Sequence, residues 1–353
     1  MGQVSGGMKR SKRDDMQIAS GQGSDDDLLV PSPKRLKLDV TDFIFAEDIP
    51  PIHTLKELVN ASEAGVVYNN IDMTKLWNVG PEVKLLDRMV GLEDVKSLVL
   101  RQIKYYIGCW RETDDDYLHT KITGDPGTGK TTLAEILAKI YCHLGVLSTG
   151  KVVRGTREKM IGKYLGQTAP KVKEIVDEAK GGVLLLDEAY SFGCGENEDL
   201  YSVEFVNTLN RLLSENKKDF ICIIVGYQES LERRLFSLNE GFSRRFANHI
   251  DTGETTPDTL MSIMYAQAEQ AGWKIARDVN IEFFTKNKEY FDKGGGSTEL
   301  LLSKCKLAYS DRTFGTPQTE RVITKSDVLV AFDEYKYHNV SKEIKKELPG
   351  MYM

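Results

Sequence analysis

No stretch of this sequence approaches the roughly 20 apolar residues needed to cross a bilayer, and no signal-peptide-like apolar core lies near its start. A membrane partner is therefore not expected. The five cysteines, Cys109, Cys142, Cys194, Cys222 and Cys305, are scattered, with no CxxC pair and no metal-ligand spacing. Neither a disulfide framework nor a zinc site is indicated, and reduced thiols of a cytosolic or nuclear protein are the expectation. Positive charge is not in excess: the net charge is −6. That disfavours a generic nucleic-acid coat and leaves a local basic patch as the route to nucleic acid. Internal repeats are absent. What remains is an ordinary globular balance, 41% apolar and 28% charged over 353 residues, enough for two or three packed units.

Composition divides the chain. Residues 1–42 are rich in Gly, Ser, Asp, Lys and Arg and poor in aromatics. Such a segment buries too little apolar surface to offset its ordering entropy, so a disordered tail is expected. It carries two basic clusters, Lys9-Arg10-Ser11-Lys12-Arg13 and Pro31-Ser32-Pro33-Lys34-Arg35-Leu36-Lys37-Leu38-Asp39. They read either as solvated charge or as an address for a nuclear import receptor. The second resembles the nuclear signal of Myc-type transcription factors, which implies a nuclear location; without it the location is cytoplasmic. Residues 43–88 read as a linker with short helices, beginning at Leu55.

From 89 to 252 short apolar runs alternate with helical patterns. Lys121-Ile122-Thr123, Val183-Leu184-Leu185-Leu186 and Phe220 to Val225 have the length and composition of buried parallel strands. The expected fold class is α/β, a parallel sheet with helices on both faces. Beyond Asp251 the strand runs cease. Helical spacing begins at Thr256-Pro257-Asp258 and returns over 281–290, 299–309 and 326–335. Residues 253–353 are thus expected to form a small all-helical lid and a C-terminal helix or tail.

Gly124-Asp125-Pro126-Gly127-Thr128-Gly129-Lys130-Thr131 matches GxxxxGK[ST] at every fixed position, between a strand and a helix. Glycines let backbone N–H groups curl around phosphate oxygens, and the helix N-terminus adds a favourable dipole. Lys130 would reach the β and γ phosphates of ATP, Thr131 would place its hydroxyl on Mg²⁺, and Thr132 follows in the same turn. The acidic pair Asp187-Glu188 emerges where Val183–Leu186 ends, 57 residues beyond Lys130. Ligands of open parallel sheets bind at that end of the strands. Asp187 would hold the metal through water, and Glu188 would act as the general base on the attacking water.

These motifs, in this order and followed by a helical lid, resemble an AAA+ ATPase over residues 85–335. Within that class the chain is similar to the red-type Rubisco activase and stage V sporulation protein K group. That likeness rests on Tyr164-Leu165-Gly166-Gln167-Thr168-Ala169-Pro170-Lys171, Leu186-Asp187-Glu188-Ala189-Tyr190, Gly226-Tyr227 and Asn239-Glu240-Gly241-Phe242-Ser243-Arg244-Arg245-Phe246. The resemblance implies a homo-oligomer, a hexameric ring. It implies that Val90-Gly91 packs on the adenine and that Tyr227 takes the place of the polar residue that orients water. It makes Arg245 a finger reaching a neighbour's γ-phosphate, against the alternative of a surface ion pair. It makes Tyr164-Leu165-Gly166 a pore loop that grips a polypeptide, against a tyrosine packed on its own domain. One departure stands out: Glu299, after Gly294-Gly295-Gly296, occupies the region of the lid's sensor arginine, leaving Lys304 or Arg312 as candidate couplers, or a lid only weakly coupled to nucleotide. Three functions follow: a ring motor that remodels a protein substrate, a nucleic-acid-linked motor of the loader or helicase type, and a nucleotide-gated scaffold with low turnover.

Overall fold

The computed structural model describes residues 27–29, 44–46, 48–108, 118–194, 199–216, 220–316 and 320–347. The basic clusters at 9–13 and 31–39, and Cys109, lie outside the described residues. In chain order the elements are β1 (Asp27–Leu29), β2 (Ile44–Ala46), α1 (Leu55–Glu63), β3 (Val66–Tyr68), α2 (Met73–Arg88), α3 (Glu93–Ile107), β4 (Thr120–Thr123) and α4 (Lys130–His143). Then come β5 (Lys151–Arg154), α5 (Arg157–Met160), α6 (Thr168–Ala179), β6 (Val183–Leu186), α7 (Leu200–Glu215), β7 (Ile221–Val225), α8 (Gln228–Arg234) and β8 (Asn248–Asp251). The last part holds α9 (Pro257–Gln270), β9 (Lys274–Ile275), α10 (Ile281–Lys286), α11 (Gly295–Thr313), β10 (Val322–Ile323) and α12 (Lys325–Glu347).

The main sheet has the order β1-β5-β6-β7-β4-β8. Its five strands from β5 to β8 are parallel. The continuous apolar run of β6 is explained by two faces. Val183 and Leu185 join one core with Ile221, Ile223 and Val225 of β7 and the inner faces of α2, α3 and α4. Leu184 and Leu186 join the other with Cys222, Ile224 and the buried faces of α6 and α7. With both faces covered, each residue of β6 and β7 is buried, so neither strand alternates polar with apolar.

Within the segment read as a disordered tail, β1 is paired: its backbone runs antiparallel to β5, Asp27 opposite Val153 and Leu29 opposite Lys151. β5 is the edge of the parallel sheet, and an edge offers unpaired N–H and C=O groups to any extended segment. The helical end carries its own core, built from Leu260, Met264, Phe284, Leu301, Cys305, Phe332 and Tyr335. Two differences from expectation appear there. A two-stranded parallel ladder, β9 with β10, staples it. And α11 begins at Gly295 rather than near Glu299; the buried Ser297 and Thr298 serve this start, Ser297 Oγ accepting from the Lys293 amide just before the helix and the Thr298 hydroxyl donating to the Gly295 carbonyl. Among the described residues no helix is long and apolar enough to cross a membrane.

His119, just before β4, ties three elements together. Its Nδ1 accepts from the Cys222 amide at 3.0 Å and its Nε2 faces the Leu213 carbonyl at 3.5 Å. The ring meets Phe220 edge-on. This arrangement fits the neutral ring, one nitrogen accepting and one donating. Burial pushes its pKa down to about 4, helped by the nearby Arg245 charge. An unfolded histidine takes up its proton near 6.5, so the contribution is complete above that pH and is lost as pH falls through 4. Urea unfolding should therefore show about 3 kcal/mol of stability disappearing from this group over that window. His119→Asn, less stable at neutral pH, should lack that component; equal acid slopes in both proteins would refute the assignment.

Candidate active site

The loop from Gly124 to Gly129 joins β4 to α4. Gly124, Gly127 and Gly129 have φ of 138°, 70° and 83°, values that a residue with a Cβ adopts at a cost. This curls the loop around the N-terminus of α4. Lys130 opens that helix and folds back: its Nζ donates to the carbonyls of Gly124 at 3.0 Å and Asp125 at 2.6 Å. The ammonium also lies 4.8 Å from the centre of the Tyr227 ring. Burial lowers its pKa, and the carboxylates of Glu188, Asp125, Asp187 and Asp251 oppose that shift.

Thr131 and Asp187, the expected metal pair, are brought together: the Thr131 hydroxyl donates to Asp187 Oδ2 at 2.9 Å. A hydroxyl and a carboxylate are hard oxygen donors. Mg²⁺ typically takes one or two protein oxygens and completes its shell with phosphate and water, so this pair fits it. Glu188 follows in a left-handed conformation, φ 50°, with its amide donating to Asp187 Oδ1. A non-glycine residue held there carries backbone strain of a kind that concentrates at functional sites. Burial and the Asp187 charge raise the Glu188 pKa, with Lys130 opposing. Tyr227 closes the far side and stacks on Tyr190 with ring centres 5.5 Å apart.

The turn at Val90 and Gly91 lies before α3, with Gly91 at φ 68°. Its neighbour Met89 reaches the loop: a Cβ on Gly129 would lie 2.9 Å from Met89 Cε. Thr128 is held by the Thr252 hydroxyl at 2.6 Å and by the Asp125 carbonyl. Pro126 and Gly127 face the lid. The Gly295 amide donates to the Gly127 carbonyl at 3.0 Å, and a Cβ on Gly294 would lie 2.7 Å from the Pro126 carbonyl. Gln267 braces this contact, donating to the Gly295 carbonyl and accepting from the buried Thr298 hydroxyl. Thr132 is exposed on the first turn of α4.

The lid candidates do not come to the site. Arg312 forms a two-pronged pair with Asp327 at 2.7 and 2.9 Å, inside the lid. Lys304 pairs with Glu334, and Glu299 is exposed. The lid touches the phosphate loop through glycine backbone instead. Met89, Thr252, Gln267 and Gly295 were all missed from sequence, since only the pairing of segments far apart in the chain reveals them.

Arg245 also lies away from the loop. It precedes β8, whose first residue Asn248 is level with Thr120, the start of β4, while the phosphate loop follows the end of β4. Strands of four residues span roughly 13 Å, so Arg245 sits at the opposite end of the strands from its own Lys130. Its Nε donates to Asn210 Oδ1 at 3.0 Å. Tyr164 and Leu165, 70% and 60% exposed, project from the segment between α5 and α6, with Gly166 at φ 83°.

Residues 121–253 match the ATPase family associated with various cellular activities, AAA. A cfxQ-like protein of Acanthamoeba polyphaga mimivirus is 32% identical over 77% of this chain and 68% of its own length. The chloroplastic ribulose bisphosphate carboxylase/oxygenase activase of Cyanidioschyzon merolae is 31% identical over 69% of this chain and 86% of its own length. The AAA domain of FIGL-1 in complex with ADP aligns with a TM-score of 0.47 at 16% identity, covering 75% of this chain and 90% of that one. The chain belongs to the AAA ATPases, in the group formed by these CfxQ-like proteins and the red-type Rubisco activases, and is an ATP-hydrolysing enzyme.

Lys130→Ala removes the cation nearest the phosphate loop and should abolish nucleotide binding. Glu188→Gln should bind ATP normally yet lose turnover, because an amide cannot take a proton from water. Calorimetry beside a phosphate-release assay checks both; undiminished turnover in Glu188→Gln would remove that carboxylate from the chemistry.

Proposed function

We propose that the protein is a ring-forming ATPase, six subunits to the ring, that remodels a protein substrate by pulling an extended segment past Tyr164 and Leu165. The observation that carries this reading is the presentation of those two side chains. Both are largely exposed, whereas the base of their loop is fixed: the Gly162 amide donates to the Thr168 hydroxyl, Lys171 Nζ to the Ile161 carbonyl, and the amides of Gly166 and Ala169 to Glu204. A rigid base under an exposed aromatic and an exposed aliphatic suits a grip on passing chain rather than a local packing role.

In this reading Lys130 neutralises the β and γ phosphates, while Thr131 and Asp187 would hold Mg²⁺, which when bound would add charge neutralisation. Val90 and Gly91 bound the base. Glu188 accepts the proton of the attacking water, and its raised pKa improves it as a base. Tyr227 shields Lys130 and bounds the space where that water sits. Arg245 serves the adjoining subunit, since its own phosphate loop is at the other end of the strands. The algal relative's name concerns that protein's client, and no client is carried over to this chain. For the two basic clusters of the tail we propose nuclear import. A fluorescent fusion of residues 1–42 should collect in nuclei and disperse on Lys34→Ala with Arg35→Ala; unchanged accumulation would move the role to residues 9–13 or end it.

Tyr164→Ala should abolish remodelling of an unfolded polypeptide without shifting the thermal unfolding midpoint, and Tyr164→Phe should retain most of the activity because the ring supplies the contact area. A packed tyrosine would behave differently, losing on the order of 3 to 5 kcal/mol on truncation. Early melting of Tyr164→Ala would count against the grip. A stable variant stimulated by single-stranded DNA and by no polypeptide would favour a nucleic-acid motor.

A further inference from the structure

We propose that helix α7 is the lever that joins the substrate loop to the trans-acting arginine, with Glu204 and Asn210 as its two positioning residues. This rests on the assignment of Tyr164 to substrate and Arg245 to a neighbouring subunit.

The inward face of α7 is fixed. Phe205, Leu209 and Leu213 are fully buried in the core between the sheet and α6. A helix packed in this way shifts as a body rather than bending. Its N-terminus is capped by Asp199, which accepts from the Tyr201 amide.

Glu204 and Asn210, both half-buried, are spaced six residues apart, about 9 Å along the axis. Glu204 reaches the substrate loop: Oε1 accepts from the Ala169 amide at 3.0 Å and Oε2 from the Gly166 amide at 3.3 Å. The first turn of α6 leaves orphan amides, and its own N-cap residue supplies no side-chain bond. A carboxylate offered from another helix satisfies that need and suits the positive end of the α6 dipole. Asn210 reaches the other loop. Its Oδ1 accepts from Arg245 Nε at 3.0 Å, and its Nδ2 donates to Asn239 Oδ1 at 3.4 Å. Asn239 in turn donates to Asn207 Oδ1 at 2.8 Å. The chain segment that carries Arg245 is therefore tied to α7 at two turns.

The consequence is mechanical. When a neighbour's γ-phosphate draws Arg245 forward, Asn210 and α7 follow, and Glu204 carries the base of the Tyr164 loop with them. The same tie works in reverse, so a load on the loop alters the placement of Arg245. Coupling between sites is reciprocal for binding free energies.

The test uses the full chain with ATP and Mg²⁺. Asn210→Ala should lower kcat about tenfold, the loss expected for one hydrogen bond to a charged group, with nucleotide affinity by calorimetry unchanged. Asn210→Asp keeps an acceptor for Arg245 Nε and should restore most of the rate. In a Glu188→Gln background with ATP, hydrogen exchange at the Gly166 and Ala169 amides should quicken in Glu204→Ala and also, at a distance, in Asn210→Ala. Wild-type kcat in Asn210→Ala would overturn the proposal. So would a slowed Asn210→Ala whose Gly166 and Ala169 amides exchange as in the parent. Mixing Arg245→Ala with Lys130→Ala subunits tests the underlying reading separately: restored hydrolysis supports a trans arginine, and none removes it, while the exchange comparison still decides whether α7 couples the two loops.

Discussion

The hydrogen bond from Thr131 to Asp187 joins the first turn of α4 to the end of β6, and the rest of the site depends on it. It can form only if the phosphate loop turns sharply enough to bring the helix back over the sheet. Three glycines with positive φ make that turn possible. It also requires β6 to lie two strands from β4, with β7 between them. Placing β6 there needs a crossover long enough to carry α4, β5 and α6, which is the stretch of chain between Lys130 and Asp187. Both hydrophobic cores serve the same end. They hold β6 rigid on each face, so that Asp187 leaves the strand at a fixed height and Glu188 is forced into its strained conformation one residue later.

Local signals in the sequence were enough for most of the frame. The loop motif, the apolar runs at 183–186 and 220–225, and the cap at Thr256-Pro257 are each read within about ten residues, and each corresponds to an element of the fold. Features that depend on two remote segments were not legible. Nothing near Thr252 announces that its hydroxyl meets Thr128, and nothing near Gln267 points to Gly295. Charge was the poorest guide. Arg312 and Lys304 were attractive because a lid without a sensor arginine still wanted a cation. In the structure both cations are taken by acids on α12, Asp327 and Glu334, whose proximity comes from helix pairing inside the lid. The three glycines at 294–296 fall just before the helical spacing that begins at Glu299, and glycine is a poor helix former. In the structure Gly294 is the N-cap of α11 and Gly295 its first residue, and at both a side chain would crowd the loop carbonyls of Pro126 and Gly127.

A lid that meets the phosphate loop through glycine backbone detects something different from one that reaches it with an arginine. An arginine responds to charge at the γ-phosphate and loses its partner when that phosphate leaves. The contact between Gly295 and Gly127 is a hydrogen bond between neutral groups, insensitive to phosphate charge at first order. It does respond to the shape of the loop, because a change in the Gly127 peptide plane breaks the bond or draws the lid along. Gln267 and Thr298 make that response stiff: the Gln267 amide is held at both ends, so α9 and the first turn of α11 move together. A lid coupled in this way follows occupancy of the loop more than the number of phosphates in it. Discrimination between ATP and ADP then falls to the groups nearest the γ-phosphate within the α/β domain and, in the ring proposed above, to Arg245 of the adjoining subunit. Under the proposed coupling, more of the nucleotide-dependent motion falls on the sheet side of the molecule, where α7 is hydrogen-bonded both to Arg245 and to the base of the Tyr164 loop.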